Sequence, residues 1–444
     1  MPSQPQVLGL LADPGVPQNV TDALADEIAE RLTRRTGTPW ETEVSHFTFP
    51  LNDDGTVPFS ARAPGILERN DWRYLVYLTD LPRALDQRPV IAEVDAAGRS
   101  TMISLPSLGA LRLQASARDL IVDLVEVSTR DAQRPVDGDE LVEGIGVSHV
   151  AVRPGLETDV HYLVRPGPSA RLRQIAGMVR TNRPGRLVTA LSGGIAAGLA
   201  SGGFGVFFGS IWTLAVAVSP ARHVLIGVVM VLTFTLWLIT RNRLWFHDRA
   251  ATGSGRAAVE NIATFVTVLL SVVMVFALLF VALGALSVIV IDADYLASQL
   301  GYAPGPGDYI AIVSMSVSMG LLAGALGSNF DDADAVRIAT YSKRGHEQRE
   351  KLDEYRDEQE EEGSGADEQD RGGDPQASDA RHPDEQDRSR DAEHTGAPGT
   401  EREGRASHDE YDSLAAEESR PGPTPPQIGT TDESSGRGGS SIAR

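Results

Sequence analysis

The side chains that could carry chemistry are sparse in this sequence. Its nine histidines, His46, His149, His161, His223, His247, His346, His382, His394 and His408, include no two spaced i, i+3 or i, i+4. No helix can therefore offer a local pair of imidazoles to a metal. Only folding could bring His46 to His149 or His161, and solvated or core histidine is the simpler reading. Asp331, Asp332 and Asp334 would attract a divalent cation at an inner surface, but helix capping accounts for them with fewer assumptions. The absence of cysteine excludes disulfides, thiolate nucleophiles and Cys-ligated zinc or iron–sulfur sites. Of 40 basic residues only Lys343 and Lys351 are lysine, and neither sits in the glycine setting of a phosphate loop. A Gly-x-Ser-x-Gly nucleophile elbow is also missing. These patterns predict no catalytic residue, no metal ligand and no cofactor, and so lean against an enzyme.

What the chain offers instead is membrane-spanning sequence. Four apolar runs, Leu187–Val218, Val224–Thr240, Ile262–Ile291 and Ile310–Ser328, contain no Asp, Glu, Lys, Arg or His. A helix needs ~20 apolar residues to cross ~30 Å of hydrocarbon, so all four qualify as spans of a domain over residues 187–330. Gly203-x-Gly205 lies inside the first run, with no strand before it, and is not a nucleotide loop. The absence of ionisable groups at membrane depth disfavours a proton- or ion-coupled carrier, and no inverted repeat is visible.

Arginine and lysine counts orient the spans. Arg171–Arg186 before the first carries Arg171, Arg173, Arg180, Arg183 and Arg186; Arg241–Asn261 carries Arg241, Arg243, Arg249 and Arg256; the segment after the fourth carries Arg337, Lys343 and Arg344. Those three are predicted cytoplasmic. Ser219–His223 has one arginine and Asp292–Tyr309 has none, so these face outward and both termini are cytoplasmic. The uncharged start, Met1 to Gln6, lacks a signal peptide's basic region. The 171–186 segment, with Leu172, Ile175, Ala176 and Val179 at helical spacing, reads as an interfacial helix whose five arginines meet anionic lipid; docking on the preceding domain is the alternative. Trp212, Trp237 and Trp245 fit interfacial belts.

Small residues recur at four-residue steps: Gly194, Gly198 and Gly202, with Gly205 and Gly209 in a second row, and Ser316, Gly320, Gly324 and Ser328 in the fourth run. Such ribbons let helix backbones approach closely, here taken as packing of the first span on the fourth, with a homodimer interface as the alternative.

Residues 1–170 alternate strand and helix signals. Val7–Ala12 and Trp72–Leu78 read as buried strands, Trp40–Phe49 as another, and Val90–Val94 with Thr101–Leu105 as a hairpin. Val20, Leu24, Ile28 and Leu32 mark one helix, capped by Asn19 and stopped at Gly37; Ala115–Ser128 marks a second. Pro50–Pro64 reads as turns, and Val147–Val152 and His161–Val164 as late strands. The fold class is thus an N-terminal α/β or α+β cytoplasmic domain, a four-helix transmembrane domain, a charged helix over 331–362 capped by Asn329 or Asp331, and a disordered acidic tail over 363–444. That tail holds most of the net charge of -21, which makes nucleic acid an improbable partner.

The order strand, helix, strand, strand pair and helix resembles, in topology alone, the core of metzincin-like zinc peptidases. Those carry His-Glu-x-x-His on the last helix; here it carries Arg118, Asp119, Asp123 and Glu126, so the resemblance implies a fold without the metal site. Over residues 1–340 the chain also resembles the uncharacterised four-span membrane proteins of GC-rich Gram-positive bacteria, through Ile175–Leu199 (IAGMVRTNRPGRLVTALSGGIAAGL). That likeness implies plasma-membrane location and no particular activity. The expected function is a multi-pass protein anchoring a cytoplasmic binding or sensing domain, with a protein partner and the anionic bilayer as its contacts. The alternatives are a transporter or channel subunit and a membrane-tethered hydrolase.

Overall fold

A computed structural model describes residues 4–352, except 54, 96, 98, 131–133, 147–149, 155–159 and 247–253, and not the side chains of 154 and 254–256. The acidic tail and His149, His247, Arg249, His382, His394 and His408 lie outside these. All described residues belong to one compact unit.

The chain opens with β1 (Gln6–Ala12), α1 (Val16–Thr36), β2 (Trp40–Ser45), α2 (Phe59–Asn70), β3 (Tyr74–Thr79), β4 (Ala84–Leu85), β5 (Arg88–Asp95) and β6 (Ser100–Ser104). It continues with α3 (Leu105–Leu108), α4 (Leu113–Thr129), α5 (Gly138–Gly144), β7 (Ala151–Pro154), β8 (Val160–Val164) and α6 (Pro168–Asn182). The strands form one sheet in the order β2-β1-β3-β6-β5-β8-β7, with β4 pairing β5. β2, β1, β3 and β6 run parallel, while β5 and the β7–β8 pair are antiparallel additions. Period-two alternation splits the core between the two faces. Leu8, Leu10, Tyr74, Val76 and Leu78 pack under α1 and α4, while Leu11, Leu75, Tyr77 and Met102 pack under α2.

Several local expectations change. The turn-rich segment 50–64 ends in α2, whose Phe59, Ala63 and Leu67 bury one face at four-residue steps although Pro64 lies within it. No side chain caps α1: it starts at Val16 with Pro17 in its first turn, where a missing N–H leaves nothing unpaired. Gly37 does end it, in the left-handed conformation with φ 71°. β2 stops at Ser45, short of Phe49, whose ring turns in to stack edge-on against Tyr77.

The helical part comprises α7 (Gly185–Ala190), α8 (Ser192–Phe207), α9 (Gly209–Ala217), α10 (Pro220–Arg241), α11 (Ser254–Val290), α12 (Ala293–Leu300), α13 (Pro306–Gly327) and α14 (Ala333–Thr340). Three helices, within α10, α11 and α13, are long and apolar enough to cross a membrane, and four if the pair 168–190 and 192–207, bent by 56°, counts as one. The first apolar run is thus not one rod but is broken at Leu191 and again at Phe208. Trp212, expected at a lipid interface, is buried instead, and its indole N–H donates to Val206 O (3.1 Å), a carbonyl left over at the second break. Leu225, Val228 and Leu236 of α10 and Val281, Val288 and Ile289 of α11 remain exposed, apolar side chains of the kind that lipid covers.

After α13 the expected single helix over 331–362 is divided. Asp332, not Asn329 or Asp331, caps α14, accepting from Asp334 N (3.0 Å). Asp331 caps α8, accepting from Gly193 N (2.7 Å) and Gly194 N (3.3 Å). A bend at Tyr341 and Ser342 precedes a further helix over 343–352.

Candidate functional site

In the parallel part of the sheet the chain runs from β1 to β2 on one side and then returns to β3 on the other. The carboxyl ends of β1 and β3 therefore flank a topological switch point, where α/β sheets open a crevice. Asp13 follows β1 directly and Asp80 follows β3. Both are almost sealed from solvent, at 0% and 3% exposure.

What closes the crevice is the segment after the last long helix. Arg344, 1% exposed, enters it with Nε 3.4 Å from Asp13 Oδ1, an ion pair whose alignment falls short of a hydrogen bond. Its Nη2 donates to Phe49 O and its Nη1 to Glu347 Oε2 (2.7 Å). The Tyr77 hydroxyl donates to Asp13 Oδ1, and the Thr79 and Ser342 side chains lie close enough to Asp13 and Asp80, respectively, to favour their charged forms. The rings of Phe49, Phe59 and Tyr77 form the apolar wall, with centroids 4.8 to 6.0 Å apart.

The charges in the crevice do not balance. Two carboxylates face one guanidinium, and Asp13 Oδ2 and Asp80 Oδ1 are buried without a hydrogen-bond partner among the described residues. An uncompensated buried carboxylate is expensive and takes up a proton instead. Burial, followed by the charge of Asp13, pushes the Asp80 carboxyl up to about 8. Burial also holds the Asp13 carboxyl above its usual range; the Arg344 charge and the Thr79 and Tyr77 side chains oppose that shift without cancelling it. For Arg344, burial lowers its pKa and is outweighed by Asp13, Tyr77 and Glu347, so the net shift is upward. At neutral pH Asp80 holds a proton, and Arg344 lies on the Asp13 side of the pair.

Next to Asp80 lies a cavity of about 30 Å³, room for a water molecule, lined among others by Asn182, Glu260, Thr264, Ser342 and Arg349. It draws residues from the sheet, α6, α11 and the 341–349 segment together. Asn182 Oδ1 accepts from Ser342 N (3.3 Å) while its Nδ2 donates to Thr267 Oγ1 (3.2 Å). Arg349 pairs with Glu260 (3.3 Å) and stacks over the rings of Tyr341 (4.1 Å) and Phe246 (5.1 Å). Gln348 Nε2 donates to Gly55 O (2.7 Å), and the Tyr341 hydroxyl donates to Leu244 O (2.7 Å). This arrangement can hold a proton and lock elements to one another. Among the described residues no three His, Asp or Glu side chains converge as metal ligands.

The residues singled out in the sequence fall elsewhere. On α6, Arg171 donates to Gln87 O and Oε1 (3.2 and 3.1 Å), Arg173 to Leu108 O (2.8 Å) and Arg180 to Ala110 O. A Cβ on Gly177 would lie 2.1 Å from Pro106 O, so α6 sits directly on α3. Arg183 ends α6 with φ 53° and Arg186 lies in α7. Gly194, Gly198 and Gly202 of α8 face α13 so closely that a Cβ on each would lie 3.0, 3.1 and 3.1 Å from the carbonyls of Gly324, Gly320 and Ser316. A Cβ on Gly205 would collide with Ser316. Gly209 instead opens α9, near Gln299 and Trp212.

The acids of α4 turn to α1: Asp119 pairs with Arg31 (3.2 Å) and Asp123 with Arg35 (2.7 Å). His46 lies 3.9 Å from Asp22, and His161 contacts Val136 O (3.0 Å). Sequence reasoning missed Asp13, Asp80 and Arg344. In the sequence Asp13 opens an Asp-Pro-Gly turn signal after the first strand, and Arg344 is one more charge at the membrane border.

Comparison with known protein families, with curated proteins and with solved structures finds no match to this chain. Fold and site together define its class: an α/β sheet region joined to a helical part that is compatible with a membrane protein.

Proposed function

We propose that this is a four-span plasma-membrane protein with both termini in the cytoplasm, in which the α/β region serves as a binding or sensing domain held at the inner leaflet. Its contacts are the anionic bilayer and a protein partner. The domain is not a tethered bead. The observation that carries this reading is Arg344: the residue just beyond the last span and α14 is buried against Asp13 and Phe49 of the first fifty residues. A domain fastened in this way moves with the bundle, so binding at its surface and rearrangement of the helices are coupled. The likeness of residues 1–340 to the four-span proteins of GC-rich Gram-positive bacteria agrees with this location. Reporter fusions at Gln299, Arg249 and Arg444 test it, with outside, inside and inside as the expected signals. A cytoplasmic signal at Gln299 overturns the orientation.

A further inference from the structure

The crevice at the ends of β1 and β3 stands where α/β sheets of this topology take their ligands, yet the chain fills it with a segment of its own. Its lining suits a guanidinium. The Asp13 carboxyl group and the Phe49 carbonyl are acceptors for a planar fork of donors, and the rings of Phe49, Phe59 and Tyr77 form an apolar wall that a weakly hydrated cation tolerates. The guanidinium now present is Arg344, which reaches in from the helix over 343–352.

Arg344 does not use all that the crevice offers. Among the described residues Asp13 Oδ2, Asp80 Oδ1 and Arg344 Nε are buried with no hydrogen-bond partner, and Nε stops 3.4 Å from Asp13 Oδ1. A cavity of about 30 Å³ also remains under the same segment, lined by Asp80, Ser342, Gly345 and Gln348. Asp13 and Asp80 follow neighbouring paired strands, so one cation that is free to turn can face both. The segment is held to the sheet region through side chains, with Arg344 on Phe49 O and Gln348 on Gly55 O.

We propose that this crevice is the ligand site of the α/β region, that it takes a ligand bearing a guanidinium group, and that the 343–352 helix keeps it closed by placing Arg344 where that group binds. The closed form is then autoinhibited. Ligand and helix exclude each other, so binding releases the segment that follows the last span. The site rests on the reading of the α/β region as a binding domain.

The test uses the full chain in neutral detergent and n-propylguanidinium, which is the arginine side chain without its backbone, with n-propylammonium as control. Arg344→Ala should bind n-propylguanidinium at least tenfold more tightly than the parent, because its crevice is open, and its thermal midpoint should rise with the ligand. n-Propylammonium, a cation without the fork, should bind at least tenfold more weakly, and adding Asp13→Asn should abolish binding. In the parent, amide hydrogen exchange over 343–352 should quicken as ligand binds. If Arg344→Ala shows no cooperative unfolding transition, Arg344→Lys, which keeps a cation but not the fork, takes its place with the same expectations. An opened variant that does not bind, equal binding of the two cations, binding that survives Asp13→Asn, or binding to the parent without faster exchange over 343–352 would each overturn the site. The titration is blind to orientation, so failure of the reporter fusions removes the inner-leaflet location and leaves the site standing.

Discussion

Replacing Asp80 with asparagine should tighten the fastening of the 342–349 segment at neutral and alkaline pH, although Asp80 is buried at the centre of the seal. Burial and Asp13 raise the Asp80 carboxyl from 3.8 to about 8, so between those values the closed form holds a proton that an opened form gives up. The slope of stability with pH is then negative: closure is strongest near pH 4, weakens by up to ~1.4 kcal/mol per pH unit towards 8, and levels off above it. At pH 7 the accumulated penalty is on the order of a few kcal/mol. Asparagine, neutral and of the same shape, keeps the protonated form's packing and removes the penalty. Trypsin cleavage after Arg344 reports opening, provided each rate is divided by that of an unfolded reference peptide at the same pH. In the parent the corrected rate should rise by up to about tenfold per unit between pH 6 and 8 and then flatten. In Asp80→Asn it should be low and flat. A pH-independent parent, or an Asp80→Asn variant that opens more readily at pH 8, would refute the assignment of the proton to Asp80.

Other perturbations address the remaining contacts. Arg344→Met leaves the Asp13 carboxylate buried without its cation and should destabilise the closed form by ~3–5 kcal/mol, read as a lower thermal midpoint and cleavage after Arg349; adding Asp13→Asn should restore part of the loss. Gly320→Ala would place a Cβ 2.6 Å from Gly198 O and should lower the thermal midpoint of the solubilised protein by the equivalent of ~1–3 kcal/mol. Gly203→Ala, whose nearest neighbour is 4.0 Å away, should be neutral by the same measurement. Trp212→Phe leaves Val206 O unpaired at the break after α8 and should lower the midpoint by ~1–3 kcal/mol.

Much of the architecture was legible because it rests on local patterns. The parallel strands show as apolar runs, the hairpin of β5 and β6 as a pair around Asp95–Arg99, and the long helices as uncharged stretches of spanning length. α2 was not legible, since Pro64 and Gly65 interrupt a segment whose helical signal is only Phe59, Ala63 and Leu67. The breaks at Leu191 and Phe208 carry no proline and depend on tertiary satisfaction, by Trp212 in the second case. The crevice was hidden for a different reason. Asp13 and Arg344 are separated by almost the whole described chain, and single acids in a turn and single arginines at a membrane border have ordinary explanations until the fold brings them together.

α11 has 37 residues, which makes it about 55 Å long, well beyond the ~30 Å of a bilayer's hydrocarbon. Its far end stands beside α12, and its near end delivers Glu260 to Arg349 and Thr264 to the cavity at Asp80. A continuous hydrogen-bonded helix behaves as one stiff body, so the element that presents Val281, Val288 and Ile289 at the surface is the same one that sets the positions of Glu260 and Thr264 beside the segment sealing Asp80.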